Sequence, residues 1–220
     1  MNTQLPPDFS VVDWAEYSTV GITYQVARYV FERERELLHV SFTGNYGYGA
    51  AGNGDADFMD AMYRAAVEVV DPDGLILDFS DFNYEWGDRL GKVLNLPDSW
   101  AQVERQPFAI VLGQGCEQGL RSLLLEDLLW SESELGWVFH CVSDALEYVK
   151  DVMRERALAE KLECEANRTA RAQAFWELLG PEVGPEQCNH SGCHRRRVKS
   201  SVLCRVHHYE RFRHEACPFK

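Results

Sequence analysis

Two stretches early in the chain alternate apolar and polar residues with a partial period of two. They are residues 27–32 (Ala-Arg-Tyr-Val-Phe-Glu) and 37–43 (Leu-Leu-His-Val-Ser-Phe-Thr), joined by a charged turn. Their β-branched and aromatic content predicts a β-hairpin. Residues 1–26 read as an irregular lead-in, and residues 44–54, with five glycines and two tyrosines, read as a loop. Asp55 then stands where it can cap a helix placing Phe58, Met59, Met62, Ala66 and Val69 on one face. Asp71-Pro72-Asp73-Gly74 makes a turn, and residues 75–79 form a short, nearly all-apolar run suited to burial on both faces. A helix over 87–96, a buried strand over 108–112, a helix over 117–129 and a strand over 137–141 follow. Strands alternating with helices after an N-terminal hairpin predict an α/β fold with a mainly parallel sheet and right-handed crossovers.

The last helical pattern is longer than the rest. It runs from Ser143, with Asp144 and Glu147 favourably placed in its first turn, to residue 179 without Gly or Pro, which is about ten turns. Leu146, Val149 and Met153 share one face, whereas Leu158, Leu162, Ala166, Ala172 and Trp176 share another about half a turn away. The pattern predicts a kink near Arg154-Glu155-Arg156 or a second half packed on a partner, with oligomerisation through residues 158–179 as one form. Gly180-Pro181 stops the helix. The domain plan is therefore a lead-in (1–26), an α/β domain (27–153), a helical arm (154–181) and a small module (185–217).

Charge changes this picture. The 220 residues carry 22 Lys+Arg against 35 Asp+Glu, a net charge of −13 that argues against a surface coated with nucleic acid. Eight basic and only two acidic residues lie from Cys188 onward, so the tail is +6 and the first 187 residues are −19. Such asymmetry marks two modules with different partners, or two ends that attract each other. Six Trp, nine Tyr and eleven Phe exclude a disordered acidic chain. No apolar run approaches the roughly 18 residues needed to span a bilayer. Residues 1–13 show no basic or apolar region of a secretory leader, so a cytoplasmic location is expected.

Cysteine placement sharpens the division. Cys116, Cys141 and Cys164 are scattered and read as inert thiols, while Cys188, Cys193, Cys204 and Cys217 crowd into the tail beside histidines. The spacing Cys188-x4-Cys193-x10-Cys204-x2-His207 supplies three thiolates and one imidazole, the closed tetrahedral shell of a structural Zn²⁺ site. His208 or Cys217 could replace His207 as fourth ligand, with His190 and His194 as weaker choices. The segment resembles small Cys3His knuckles appended to bacterial and phage HNH nucleases and found in eukaryotic chromatin-associated proteins, but it carries no HNH motif. Arg195, Arg196, Arg197 and Lys199 fall in the loop between the ligand pairs and form a candidate site for nucleic acid or another anion.

The segment Asp73-Gly74-Leu75-Ile76-Leu77-Asp78-Phe79-Ser80, with residues 84–94, 106–111 and 137–146, resembles a STAS domain. That family comprises anti-sigma-factor antagonists and sulfate-transporter tails. The resemblance covers about residues 27–153 and implies a fold that binds a protein partner. Aligned on Leu90-Gly91, the family's phosphorylated Ser falls on Gly87, so the resemblance implies binding without that phospho-switch. The tip Phe82-Asn83-Tyr84-Glu85-Trp86 would then be a contact surface, with Tyr84, Trp86 and Asp88 as partner-binding residues, unless Phe82 and Trp86 fill the core below.

Two motifs test for an enzyme. Gly113-Gln114-Gly115-Cys116-Glu117-Gln118-Gly119 follows a strand, as a dinucleotide loop would, but its third Gly is one residue late. Asp78, Asp81, Glu85 and Asp88 follow another strand and could bind Mg²⁺ or do acid–base work. His39 and His140 fall in strands and read as ordinary sheet residues, and no nucleophile–base constellation assembles. The expected protein is a non-catalytic regulator or scaffold, with a nucleic-acid-associated adaptor as the alternative and an enzyme as the third reading.

Overall fold

The computed structural model describes residues 13–94, 107–128, 130–199 and 201–219, and the side chains of Asp88, Asp127 and Glu132 lie outside that description. The chain divides into two compact units, Met1–Leu158 and Ala159–Lys220.

The first unit is built on a five-stranded sheet whose spatial order follows the chain. β1 (Gly21–Phe31) and β2 (Arg33–Asn45) form an antiparallel hairpin. β3 (Gly74–Asn83), β4 (Phe108–Leu112) and β5 (Val138–Phe139) then add in parallel, as an α/β protein requires. Helices α1 (Asn53–Val70), α2 (Gly91–Leu94) and α3 (Glu117–Ser122) lie in the crossovers. Because each parallel strand adds on the same side of the last, right-handed crossovers bring these helices to one face of the sheet. There Leu38, Val40 and Phe42 of β2 and Leu75, Leu77 and Phe79 of β3 pack with Ala56, Met59 and Tyr63 of α1. The opposite face, through Leu37, Ile76, Ala109 and Val111, is covered by Ala145, Val149 and Met153 of α4 (Val142–Leu178). β4 and the first six residues of β3 are buried on both sides, which accounts for their nearly all-apolar runs. A Cβ on Gly74 would stand 2.7 Å from the Met153 sulfur and 2.8 Å from Val149, so glycine lets the long helix press onto the start of β3.

Several boundaries differ from the sequence pattern. β1 starts at Gly21, inside the expected lead-in, because every residue to Phe31 pairs with β2. Asp55 is not the cap of α1; the helix begins at Asn53, and the Asp55 carboxylate accepts from the Ser18 hydroxyl (2.7 Å) and the Gly47 amide (2.9 Å). Its buried face runs through Ala56, Met59 and Tyr63, while Val69 is exposed. The helix expected over 87–96 is a 3-10 turn, Asp88–Leu90, followed by α2, and residues 95 and 96 lie outside the described residues. The helix expected to reach residue 129 is shorter: α3 gives way to a π-helical turn at Leu123–Asp127, and residue 129 lies outside the described residues. No helix among the described residues is long and apolar enough to cross a membrane.

The second unit joins the later turns of α4 to the cysteine-rich module and its helix α5 (Arg205–Arg213). Ala172, Phe175, Trp176 and Leu179 pack with Val206, Tyr209, Cys217 and Phe219. The second apolar face of the long helix, expected to seek a partner or a second copy, is thus satisfied in part within its own chain. Leu158 and Leu162 remain exposed. The Arg205 guanidinium donates to the Trp176 carbonyl (2.8 Å from Nε) and lies 4.1 Å above the Trp176 ring, tying the start of α5 to the end of α4.

Candidate metal centre and contact surface

The module sets its candidate metal ligands on a short backbone ladder. The Cys188 amide donates to the Arg195 carbonyl (2.9 Å), the Arg197 amide to the Glu186 carbonyl (3.1 Å) and the Asn189 amide to the Val202 carbonyl (2.9 Å). A tight turn, closed by the Cys193 amide on the His190 carbonyl (3.1 Å) with Gly192 at φ 75°, brings Cys193 back beside Cys188. Cys204 is the N-cap of α5, and its sulfur accepts from the His207 amide at 3.5 Å. The start of the helix therefore projects His207 from the first turn, beside the Cys204 sulfur.

Cys188, Cys193, Cys204 and His207 bring one ligand atom each to within 4.8 Å of one another. His207 Nδ1 is 3.4 Å from Cys188 Sγ and 3.3 Å from Cys204 Sγ, and the Cys193 and Cys204 sulfurs are 3.9 Å apart. Zn–S and Zn–N bonds of about 2.3 and 2.0 Å give tetrahedral edges of about 3.5–3.8 Å, so the four atoms fit such a shell. Burial opposes ionisation of Cys188, but amide donors and His207 outweigh it and draw the thiol down to about 6. Burial and the nearby Cys188 and Cys193 sulfurs push Cys204 up to about 11. Three sulfurs this close repel as thiolates, and a dication relieves that repulsion.

The other ligand choices are occupied elsewhere. His208 Nδ1 lies 2.7 Å from the Ser201 hydroxyl, and the Cys217 thiol is buried near the Phe219 carbonyl at 3.5 Å. His194 is exposed, and His190 stacks on His207. The loop cations are also partly committed. Arg195 pairs with Glu182 at 3.1 Å, and Arg197 pairs with Glu186 and bonds to Asn189, while Arg196 and Lys199 stay exposed.

In the first unit the expected contact residues separate. Tyr84 is buried, and its hydroxyl donates to the Gly87 carbonyl at 2.7 Å; Phe82 is buried too, so both belong to the core. Trp86 is 59% exposed and lies 5.7 Å from Tyr48, itself 69% exposed. Gly49 makes room for this pair, because a Cβ there would come within 2.7 Å of the Trp86 ring. Asp88 opens a 3-10 turn, and its side chain lies outside the described residues. No pattern in the chain singles out Tyr48, since only the fold sets the loop after β2 beside the end of β3.

Packing and hydrogen bonding account for the enzyme-like motifs. A Cβ at Gly113 would fall 2.0 Å from the Ser80 carbonyl oxygen and one at Gly115 2.1 Å from the Asn83 side chain, so close packing against β3 requires these glycines. Among the described residues, only the Cys3His group brings three or more ligand atoms close enough to hold a metal, and Asp78, Asp81 and Glu85 are not part of such a group. Asp78 instead pairs with His39, which its strand pattern presents as an ordinary sheet residue. His39 Nε2 is 3.1 Å from the Asp78 carboxylate, and the Ser80 amide donates to the other oxygen at 2.9 Å. His39 and the Ser80 hydroxyl both bond the Asp78 carboxylate.

Burial opposes ionisation of Asp78, but the bonds from His39 and Ser80 outweigh it and hold its carboxyl below the usual range. A carboxyl depressed in the folded state stabilises the fold above its unfolded pKa of about 3.9 and loses that contribution as pH falls through the lower folded value. Asp78→Asn is expected to flatten the acid limb of the first unit's stability below about pH 4. Urea unfolding at stepped pH measures this, and an unaltered acid limb would contradict it.

No protein-family model matches the chain, and neither does any curated protein. Among solved structures, the chain is similar to an anti-sigma factor antagonist from Mycobacterium paratuberculosis. The two share 18% identity over 59% of this chain and 95% of that one, with a TM-score of 0.39.

Proposed function

We propose that this chain is a non-catalytic regulatory or scaffolding protein. Its α/β unit binds a protein partner through the Trp86–Tyr48 tip. Its second unit holds a structural Zn²⁺ on Cys188, Cys193, Cys204 and His207 and offers a basic surface, with Arg196 and Lys199, as a second contact. The exposed Trp86–Tyr48 pair carries the reading. Its neighbours Phe82, Tyr84 and Tyr46 are all buried, so the core is filled without it. Large aromatics left at a surface are the residues that dominate protein interfaces. A four-ligand shell without an open position fits a structural rather than catalytic metal.

Affinity capture of the tagged full chain from cell extract, after nuclease treatment, tests the partner surface. Trp86→Ala is expected to weaken recovery of the genuine partner on the order of 30-fold, the loss typical of an interface anchor. Val69→Ala, exposed on α1, serves as the control and leaves recovery unchanged. Identical capture by wild type and Trp86→Ala would overturn the surface.

A further inference from the structure

We infer that His190 is a positioning residue that keeps the metal centre closed by stacking on the ligand His207. The inference rests on the metal reading above and adds a kinetic role for a residue outside the ligand set. The two imidazole rings lie 3.7 Å apart and within 9° of parallel. The backbone holds His190 in that place: its amide donates to Cys188 Sγ at 3.5 Å, and its carbonyl accepts from the Cys193 amide at 3.1 Å. His190 is thus held between the Cys188 sulfur and the Cys193 backbone amide while its ring covers the imidazole that comes from α5.

His207 is the ligand whose release would open the shell. The three thiolates are anions drawn to a dication, whereas imidazole binds as a neutral donor. Opening needs the His207 ring to swing away from its Nδ1 contact. Beside it lies a surface hollow of about 480 Å³, bounded by Asn189, Ser191, Leu203, Glu210 and Arg211 as well as both rings. A competing ligand can approach through that hollow. A ring stacked flat on His207 resists the swing and shields the bond, much as outer-shell partners orient metal-bound histidines elsewhere. Aromatic stacking of this kind corresponds to about a 3- to 10-fold change in rate.

The test uses the full chain loaded with Zn²⁺ and mixed with the chromophoric chelator 4-(2-pyridylazo)resorcinol. His190→Ala is expected to release the metal about 3- to 10-fold faster than wild type, and His190→Phe, which keeps a flat ring, to restore the slow rate. The Co²⁺-substituted His190→Ala chain should keep the wild-type visible spectrum, since the ligand set is intact. Equal release from wild type and His190→Ala overturns the inference, as does a His190→Phe chain as fast as His190→Ala. An altered Co²⁺ spectrum overturns it by making His190 a ligand. A wild-type chain that takes up no metal overturns the metal reading itself, an outcome distinct from equal rates.

Discussion

Removal of the metal by chelation, or Cys204→Ser, is expected to unfold the second unit and leave the first folded. Cys204 is fully buried, caps α5 and contacts both His207 and Cys193. Serine there can still cap the helix but removes the thiolate, so the substitution isolates the loss of a ligand. A module this small lacks the apolar area to order itself, and structural zinc supplies about 10–16 kcal/mol of apparent binding energy in comparable peptides. The effect spreads beyond the ligands. Tyr209 and Phe219 cover Phe175 and Trp176, and Arg205 ties α5 to the Trp176 carbonyl. Without that cover the later turns of α4 become a marginal isolated helix. Metal analysis should return one zinc per wild-type chain. Circular dichroism should lose helix from both α5 and the end of α4, while the melting transition of the first unit stays in place. A metal-free chain whose tail keeps its helix and its protease resistance would contradict the prediction.

Phe79→Ala produces the complementary result. Phe79 is fully buried in β3, stacked on Phe42 at 4.9 Å between ring centroids and 5.6 Å from Phe82. Truncating such a ring removes its transfer energy and leaves a cavity that the flanking strands close only in part, a cost of about 3–5 kcal/mol. That is a large fraction of a domain's stability. The first unit should melt at markedly lower temperature or denaturant, with the zinc content and chelator release of the second unit unchanged. Coupled loss of both units in either variant would show one cooperative body in place of two. Scanning calorimetry of wild type, Cys204→Ser and Phe79→Ala side by side reads all three outcomes.

Much of the architecture follows from periodicity alone. The hairpin, the apolar runs of β3 and β4 and the uninterrupted helical pattern ending at Gly180 reflect short-range rules, because side-chain direction repeats every two or 3.6 residues. The candidate ligands Cys188, Cys193 and Cys204 are legible for a similar reason: metal chemistry demands particular atoms at close spacing, and few other uses gather thiols so tightly. The charge division between an acidic body and a basic tail is likewise visible in the residues.

What lies beyond the sequence depends on which segments meet. Tyr84 and Trp86 are two residues apart and look alike in the chain, yet one donates its hydroxyl inward to Gly87 and the other lies outside on Tyr48. Asp78 reads as one of several carboxylates around a strand end until the parallel pairing of β2 with β3 sets His39 against it. Spacing leaves the fourth ligand open among His207, His208 and Cys217. The start of α5 at Cys204 turns His207 toward the sulfurs and His208 toward Ser201. The sequence by itself determined the elements, the thiol cluster and the charge division, since these depend on neighbours along the chain. Only the tertiary structure decided which aromatic is exposed, which histidine faces the three sulfurs and what covers the later turns of the long helix, because burial and side-chain geometry depend on neighbours in space.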